Sequence, residues 1–276
     1  MKIKLVADSS ANLTCMPHCD YSFAPLKIIV GHREFTDDTE IDVPFMLQTL
    51  SAHKGPTSTA CPGVQDWLDA FGDADLVLGV AITSALSGCF NTASIAAQEY
   101  MAANPNKKVF ILDSLTTGPE MELILEKYQE LVLQNKPFDA ICTEIQKYLA
   151  HTHLMFSLAS LSNFAKNGRI SPATAAAVGF LGIRIVGRAS DQGTLEPLHK
   201  CRGEKKALQQ LLQSMLESGY CGGKVRISHT NNPSAAADFS DLLKNKYPDC
   251  DVKIRENRGL CSYYAEEGGL LIGYET

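Results

Sequence analysis

Small polar residues follow three of the apolar segments that the sequence predicts to be β-strands. They are Asp8-Ser9-Ser10, the segment from Thr83 to Gly88, and Asp113-Ser114. Serine and aspartate are common in turns and helix caps, so each group alone indicates little more than a turn. In open parallel sheets, however, ligands bind outside the carboxyl ends of the strands. Polar groups at three such ends together predict one shared ligand crevice.

Ser87-Gly88 is the most informative of these groups. It stands between an apolar strand predicted over 76–82 and a helix predicted over 88–104. The first backbone N–H groups of a helix have no partner inside the helix, and glycine lets a ligand approach the backbone closely. The sequence therefore predicts an anion site here, for a phosphate or a carboxylate. No lysine flanks the loop, which favours a singly charged group over a polyphosphate.

Two further segments could contribute to an anion site. The run from Thr57 to Pro62 carries three hydroxyl groups ahead of a helix predicted over 64–71. The run from Lys166 to Ser171 places Arg169 in a glycine-containing turn. A guanidinium group can pair with a carboxylate or phosphate through two parallel hydrogen bonds. Candidate ligand contacts thus extend over both halves of the chain.

The elements that must position these residues differ between the two halves. In the first half, strands predicted over 2–7, 24–30, 76–82 and 109–112 alternate with helices over 44–51, 64–71, 88–104, 119–134 and 139–150. This alternation is typical of a parallel sheet with helices on both faces. In the second half, strands are predicted over 154–161, 183–187, 194–198, 225–229, 251–255 and 270–274, with helices over 173–180, 203–217 and 234–246.

These patterns predict an α/β protein of two domains. An N-terminal, Rossmann-like domain with a parallel sheet would cover residues 1–155 and carry the anion site. A C-terminal α+β domain with a largely antiparallel sheet would cover residues 156–276. The turn Asp191-Gln192-Gly193 indicates a hairpin in the second domain. The apolar run over 173–180, with Leu181 and Ile183, is a candidate wall for a ligand tunnel.

Composition excludes several classes of function. The 276 residues include 25 Lys and Arg against 31 Asp and Glu, a net charge of −6, which argues against nucleic acid as a partner. No apolar stretch reaches the roughly 20 residues that span a bilayer. The first residues do not resemble a signal peptide, so we expect a cytoplasmic protein without stable membrane insertion.

Sequence motifs for cofactors and metals are also missing. The chain contains no P-loop, no G-x-G-x-x-G, no G-x-S-x-G and no H-E-x-x-H. Nine cysteines without a C-x-x-C pair favour reduced, structural thiols. The tightest cluster, Cys15, His18 and Cys19, has no evident fourth ligand for zinc. We therefore expect no metal and no cofactor.

Four short motifs in the first half resemble those of a known family. Asp8-Ser9-Ser10-Ala11-Asn12-Leu13 is similar to the family's D-S-S/T-A/C-D/N-L, and Thr59-Ala60-Cys61-Pro62-Gly63 to its T-S-Q-P-S. The segment from Ser87 to Ala93 resembles S-G-T-Y-Q-S-A, and Asp113-Ser114 resembles a D-S that follows a strand.

Two motifs in the second half complete the series. Asn167-Gly168-Arg169-Ile170-Ser171 resembles G-G-R-I-S, and Lys200-Cys201-Arg202-Gly203 is similar to K-V-R-G. No single motif is specific, but the six agree in order and spacing over essentially the whole chain. On these residues the chain is identified as a member of the DegV family of fatty-acid-binding proteins.

This resemblance implies a bacterial lipid carrier and not an enzyme. It implies that one long-chain fatty acid, such as palmitate, lies between the two domains and serves lipid transport or fatty acid metabolism. Thr59 and Ser87 would hold the carboxylate, aided by the backbone amide of Gly88, with Arg169 near the head group. Some members deliver the acid to a fatty acid kinase, which makes such a kinase a candidate partner.

The chain also departs from the family's pattern. Ala60 and Gly63 replace the two serines of T-S-Q-P-S, which are possible hydroxyl donors, and residues 260–269 lack the histidine that kinase-linked members carry there. Ser58, Ser262 and Tyr263 are additional candidates for head-group contacts. The alternative function is a hydrolase or transferase that acts on a small phosphate or carboxylate compound at the same crevice, with Ser87 or Asp113 as the catalytic residue.

Overall fold

Three β-sheets organise the part of the chain that the computed structural model describes, which is residues 1–170 and 182–276. The strands are β1 (Ile3–Asp8), β2 (Asp20–Ala24), β3 (Lys27–Val30), β4 (Arg33–Thr36), β5 (Thr57–Ala60), β6 (Leu76–Ala81), β7 (Lys108–Asp113), β8 (Thr152–Leu158), β9 (Ile183–Ala189), β10 (Leu195–Arg202), β11 (Lys224–His229), β12 (Asp251–Glu256) and β13 (Leu270–Glu275). The described helices, numbered in chain order, are α1 (Val43–Ala52), α2 (Val64–Phe71), α3 (Cys89–Ala103), α4 (Pro119–Leu133), α5 (Phe138–Tyr148), α6 (Ser162–Lys166), α7 (Glu204–Glu217), α8 (Pro233–Lys246) and α9 (Gly259–Ala265).

The four-stranded sheet has the order β2-β1-β6-β7, and every pairing in it is parallel. All six residues of β6 are buried, as expected for a central strand covered on both faces. In α2 the apolar residues recur at helical spacing, so Trp67 and Phe71 both face the core. The predicted parallel α/β half is thereby confirmed.

The six-stranded sheet has the order β10-β9-β8-β13-β11-β12. Its pairings are antiparallel except for that between β11 and β12. This agrees with the predicted, largely antiparallel sheet. Residue 155 lies inside β8, which pairs along its length with β13, so a division by sheet falls before Thr152. The division at 155 itself stays a prediction.

A small antiparallel sheet of order β4-β3-β5 was not predicted. The strand predicted over 24–30 is in fact two strands in two sheets, because β2 ends at Ala24 and β3 begins at Lys27. Pro25, between them, has no N–H to continue a ladder of hydrogen bonds. The small sheet matters for the site because it pairs Thr59 with Ile28 and so fixes the position of β5.

Helix α4 contacts the six-stranded sheet through charged pairs, of which that between Arg226 and Glu126 is buried. The Arg226 guanidinium on β11 is 1% exposed and bonds the Glu126 carboxylate on α4 through two nitrogens, at 2.6 and 2.9 Å. Arg226 also contacts Asp251 at 2.8 Å, and Arg255 contacts Glu122 at 3.0 Å. These pairs fix α4 against the six-stranded sheet.

Every helix within residues 1–170 and 182–276 is too short or too polar to cross a membrane. The helix predicted over 173–180, and with it most of the proposed tunnel wall, lies outside the described residues. Ile183, at the end of that predicted wall, is the first residue of β9 and packs partly buried beside the apolar cluster of the six-stranded sheet.

Candidate functional site

A cavity of about 310 Å³ lies between the four-stranded and six-stranded sheets. This volume falls within the range of roughly 300–1,000 Å³ that small-molecule sites occupy. Its wall is mainly apolar and draws on both halves of the chain. The apolar residues include Leu26, Ile82, Leu86, Leu115, Leu154, Phe156, Leu158, Phe164, Leu195, Leu260 and Leu271.

One part of the wall is polar and collects the residues that the sequence singled out. Thr59, Ser87, Gly88 and Arg169 all line this cavity, although they come from four separate segments. Thr59 lies on β5, Ser87 and Gly88 precede α3, and Arg169 follows α6. The predicted convergence is present in the structure, and the role of these residues in holding a ligand stays a prediction.

Thr59 has a partner that the sequence did not indicate. Its Oγ1 lies 2.9 Å from the phenolic Oη of Tyr264 on α9. Tyr264 lines the cavity and packs against the ring of Phe164, with 4.6 Å between the ring centroids and 34° between the ring planes. Burial raises the pKa of Tyr264, so the phenol keeps its proton and can donate a hydrogen bond. One of the two hydroxyls donates to the other, and the remaining O–H is free to donate to an anion.

Ser87 is placed by the start of α3. Its Oγ donates to the Cys89 thiol at 3.1 Å and accepts from the Cys89 amide at 3.3 Å. Gly88, the residue before the helix, has backbone angles that any residue can adopt. Its contribution is therefore the absence of a side chain and not conformational freedom. A side chain there would begin 3.2 Å from the Cys61 sulfur, which would crowd the approach to the helix start.

Arg169 spans the opening between the two halves. Its Nε donates to the carbonyl oxygen of Leu86 at 2.9 Å, and its Nη1 donates to the carbonyl oxygen of Asn167. The residue itself is exposed at the cavity edge. This contact ties the C-terminal half to the loop that carries Ser87 and adds one positive charge to the polar part of the wall.

The aspartates at the strand ends act on the loop and do not line the cavity. Asp8 accepts hydrogen bonds from the Ile82 amide at 2.7 Å and the Ser10 amide at 3.0 Å. Burial raises the pKa of its carboxyl to about 6. Asp113 accepts from the Ser84 amide at 3.0 Å. The strand ends converge as predicted, but their carboxylates hold backbone amides around the loop before α3.

Three further candidates for head-group contacts lie outside the cavity wall. Ser58 follows Thr57 on β5 and is exposed, because successive side chains of a strand point to opposite faces. The buried Ser262 hydroxyl donates to the carbonyl oxygen of Asn257 at 2.9 Å. The buried Tyr263 hydroxyl lies 2.7 Å from Thr57 Oγ1. Ser262 and Tyr263 are therefore directed to other partners and Ser58 to the surface, while the neighbouring Tyr264 lines the cavity.

The polar groups around the cavity suit anion binding better than bond-making chemistry. Ser87 contacts a thiol, and burial raises the pKa of the Cys89 thiol well above its usual value, so Cys89 is not a base for Ser87. In the part of the chain that the structure describes, no three His, Cys, Asp or Glu side chains are grouped to hold a metal ion.

The fold and this cavity define a class of protein: two α/β layers that enclose an apolar chamber with hydroxyl and cationic groups on one side. The chain belongs to the DegV family, whose model, described as an uncharacterised protein family, matches residues 2–276. A DegV domain-containing protein of Streptococcus gordonii is 40% identical over 279 residues, covering 100% of this chain and 99% of the relative. A second, from Streptococcus pneumoniae, is 38% identical with the same coverage.

Two solved structures match over nearly the full length. A DegV family protein from Eubacterium eligens, loaded with heptadecanoic acid, is 43% identical with a TM-score of 0.97 and covers 99% of each chain. The fatty acid kinase B3 protein of Streptococcus pneumoniae, loaded with linoleic acid, is 38% identical with a TM-score of 0.98. That match covers 100% of this chain and 99% of the other.

Proposed function

We propose that this protein binds one long-chain fatty acid, such as palmitate, in the cavity between its two domains. The observation that carries the proposal is the division of one cavity wall into an extended apolar part and a small polar part formed by Thr59, Ser87, Gly88 and Arg169. An amphiphile with one charge matches this division. Two neighbours of 43% and 38% identity, both loaded with fatty acids, support it.

The head group would be held by hydrogen bonds, which the negative charge of the carboxylate strengthens. Thr59 supplies a hydroxyl, Ser87 would turn its hydroxyl from the weakly accepting Cys89 sulfur to the carboxylate, and the first amides of α3 add the positive end of a helix dipole. A hydrogen bond to a charged group contributes roughly 1.5–3 kcal/mol. Arg169 adds a cation at the exposed edge. These contacts orient the acid with its carboxylate toward the polar part.

The acyl chain would supply most of the affinity. Each buried methylene contributes about 0.8 kcal/mol, so a dozen contribute about 10 kcal/mol before costs. Association costs of roughly 4–15 kcal/mol oppose this gain. When the cost is near the lower end of this range, the acyl chain and the head-group bonds together leave the roughly 8 kcal/mol that a micromolar complex requires. Leucines on both sheets, such as Leu154 and Leu271, line the space that the chain would fill.

We further propose that the protein acts as a carrier and performs no catalysis, without a cofactor, in the cytoplasm. The competing proposal, a hydrolase or transferase for a small phosphate or carboxylate compound, needs an activated nucleophile. The neutral Cys89 thiol beside Ser87 does not provide the base for one. Steady turnover of an ester or phosphate panel that is lost in Ser87→Ala would favour the enzyme.

A fatty acid kinase is the partner that we propose for delivery of the bound acid. One neighbour of 38% identity is itself a fatty acid kinase B3 protein. The exposure of Arg169 leaves the polar edge of the cavity open to a docking protein. Acyl phosphate formation by a fatty acid kinase, dependent on added carrier, tests this step. A kinase that ignores the loaded carrier would contradict it.

Mass spectrometry of the bound lipid tests the binding proposal directly. Protein purified from bacteria is extracted with organic solvent, and about one fatty acid per chain is expected. A Thr59→Ala/Ser87→Ala double variant should retain much less acid after washing with lipid-free buffer. Ser58→Ala and Ser84→Ala are matched controls, because each removes a nearby exposed hydroxyl that does not line the cavity. Native protein that holds no fatty acid and takes up none on addition would contradict the proposal.

A further inference from the structure

Helix α9 is short, but most of its length faces the cavity. The residues of α9 that line the wall are Leu260, Cys261, Tyr264 and Ala265. The hydroxyl of Tyr264 must also lie within hydrogen-bond distance of Thr59, which is on a different sheet element. The position of this helix therefore decides the geometry of the polar part of the wall.

A buried aspartate from the N-terminal half holds the first turn of α9. Asp37 follows β4 and is fully buried. Its Oδ1 accepts from the Gly259 amide and its Oδ2 from the Leu260 amide, both at 3.0 Å. The first amides of a helix have no partner inside the helix, so one carboxylate satisfies two of them. A serine cap offers a single oxygen and would hold the helix start at one point.

Asp37 links α9 to the sheet that carries Thr59. Its own amide donates to the carbonyl oxygen of Leu26 at 2.8 Å, directly before β3 of the small sheet. A side chain at Gly259 would begin 2.8 Å from the Asp37 carboxyl carbon, so glycine allows this close approach. Because β5 of the same sheet bears Thr59, one aspartate connects the elements on which Thr59 and Tyr264 lie.

A second residue from the N-terminal half holds the same helix start. Asn12 belongs to the first of the six family motifs. Its Oδ1 accepts from the Arg258 amide and its Nδ2 donates to Asn257 Oδ1, both at 3.0 Å. The Cys261 thiol donates to the carbonyl oxygen of Ser10 at 3.3 Å. Although α9 lies late in the sequence, its first turn is thus bonded to the N-terminal half.

The Asp37 carboxylate is costly to place here. Burial raises the pKa of its carboxyl, although the two amides and Arg258 act in the opposite direction. The Arg258 Nε lies 3.8 Å from Asp37 Oδ1, which is too far for a hydrogen bond. Neutral caps stabilise a helix start about as well as aspartate does. A charged group in this place therefore indicates that the position of α9 matters beyond the stability of one short helix.

A shift of α9 should affect the head group before it affects the acyl chain. Hydrogen bonds weaken steeply with distance and angle, and Tyr264 Oη lies 2.9 Å from Thr59 Oγ1. Apolar contacts are not directional, so a wall residue such as Leu260 tolerates a small displacement. The polar part of the wall is thus the more sensitive to how the first turn of α9 is held.

We propose that Asp37 is a positioning residue for fatty acid recognition, which acts through α9 to place the Tyr264 hydroxyl at the carboxylate site. Asn12 supports the same helix start. Neither residue lines the cavity, so neither touches the ligand. This inference rests on the proposed fatty acid binding and identifies what controls the geometry of its head-group site.

Affinities for octadecanoic acid and for its methyl ester, measured on delipidated protein, test this role. Asp37→Asn replaces one acceptor by an NH₂ group that faces an amide donor. We expect the affinity for the acid to fall about threefold to tenfold, the contribution of one hydrogen bond. The affinity for the ester should change less than about twofold, because the ester lacks the charge that strengthens the bond from Tyr264.

A double-mutant cycle shows whether Asp37 acts through Tyr264. In a Tyr264→Phe background, Asp37→Asn should cause no further loss of affinity, since the hydroxyl that it positions is gone. Asn12→Gly is the second variant, and it decides the question where Asp37→Asn does not fold. Asn12 has a φ of +61°, which glycine adopts without strain, so only the side-chain bonds are lost. It should weaken binding of the acid in the same way.

Asp42→Ala is the matched control. The Asp42 side chain accepts from the Phe45 amide at the start of α1, a helix that does not line the cavity. Loss of this cap should lower the melting temperature and leave both affinities unchanged. An affinity loss in Asp42→Ala equal to that in Asp37→Asn would assign the effect to stability alone and overturn the proposal.

The possible failures are distinguishable. If the parent protein does not bind octadecanoic acid, the proposed function is wrong. If the parent binds the acid but neither Asp37→Asn nor Asn12→Gly weakens binding, the function stands and the positioning role is overturned. Equal losses for the acid and the ester, or a further loss from Asp37→Asn in the Tyr264→Phe background, would also overturn it, because Asp37 would then act on the wall as a whole.

Discussion

The two halves of this molecule meet at two buried regions of opposite chemistry. Along α4, carboxylates and guanidinium groups are paired at short distances, as in Arg226 with Glu126 and Arg255 with Glu122. In the cavity, the wall is mainly apolar, and its hydroxyls bond uncharged partners, as in Thr59 with Tyr264 and Ser87 with Cys89. The difference indicates a division of labour: the α4 region fixes the halves together, and the cavity region keeps bonding capacity for a ligand.

Charge balance keeps the Glu126 carboxylate of the α4 region ionised. Burial raises the pKa of Glu126, but Arg226 and Lys253 outweigh it, and the carboxyl pKa is lowered overall. The carboxylate therefore stays charged and paired at neutral pH. A buried pair of this kind is costly to break because it leaves an uncompensated charge. The cavity hydroxyls carry no charge and can exchange partners at small cost.

The largest expected effect comes from breaking the α4 region. Arg226→Met should lower the free energy of unfolding by about 3 kcal/mol, since it leaves Glu126 buried with one fewer cation. Urea denaturation measures the loss. Arg188→Ala is the matched control, because its pair with Glu196 is 41% exposed on both sides and should contribute at most about 1 kcal/mol.

This substitution also sharpens the comparison between the two regions. Where Arg226→Met remains folded, its affinity for fatty acid should equal that of the parent, because residue 226 lies outside the cavity wall. A double variant, Arg226→Met/Glu126→Gln, should recover part of the lost stability. Equal losses for Arg226→Met and Arg188→Ala would remove the distinction between a fixed and an adaptable region.

The next effect concerns Glu120, which stands on α4 and is 5% exposed. Burial raises the pKa of its carboxyl to about 7. A raised carboxyl pKa favours the folded state when the group is protonated, and this contribution is lost as the pH rises from about 4.5 through about 7. Relative to the parent, Glu120→Gln should therefore gain about 2–3 kcal/mol of stability between about pH 5 and about pH 8.

Denaturation at a series of pH values measures this gain. Glu34→Gln is a suitable control, because Glu34 is exposed on β4 and is distant in sequence from the α4 region. A Glu120→Gln variant whose stability tracks the parent at every pH would show that the carboxyl is charged in the folded protein. Glu120 would then belong with the charged residues of the α4 region and not with the neutral groups around the cavity.

The sequence predicted the regular elements well where their periodicity is strong. The helix expected over 64–71 matches α2 residue for residue, and the strand over 76–82 matches β6 within one residue. Both have apolar residues at the spacing of a helix or at every position of a buried strand. Strand β5 was missed because Thr57–Ala60 is polar and small, a composition typical of loops.

Helix α9 was missed for a different reason, and with it Tyr264. Six of its seven residues are buried, so the polar face that reveals a helix in the sequence is absent. The two tyrosines of this helix are adjacent, and the sequence favoured Tyr263. Only the fold shows that Tyr263 Oη faces Thr57 and Tyr264 Oη faces Thr59, residues more than 200 positions away.

The smallest expected effect separates these two tyrosines and tests the cavity region alone. Tyr264→Phe removes the hydroxyl that pairs with Thr59, so fatty acid affinity should fall about threefold to tenfold, the contribution of one hydrogen bond. Tyr263→Phe is the matched change: its hydroxyl bonds Thr57 and Asn167 within the fold, so stability should fall by about 1 kcal/mol with affinity unchanged. Titration with a fatty acid and urea denaturation distinguish the two outcomes. An affinity loss in Tyr263→Phe and none in Tyr264→Phe would reverse the assignment, and the small sheet with its Thr57 would become part of the head-group site.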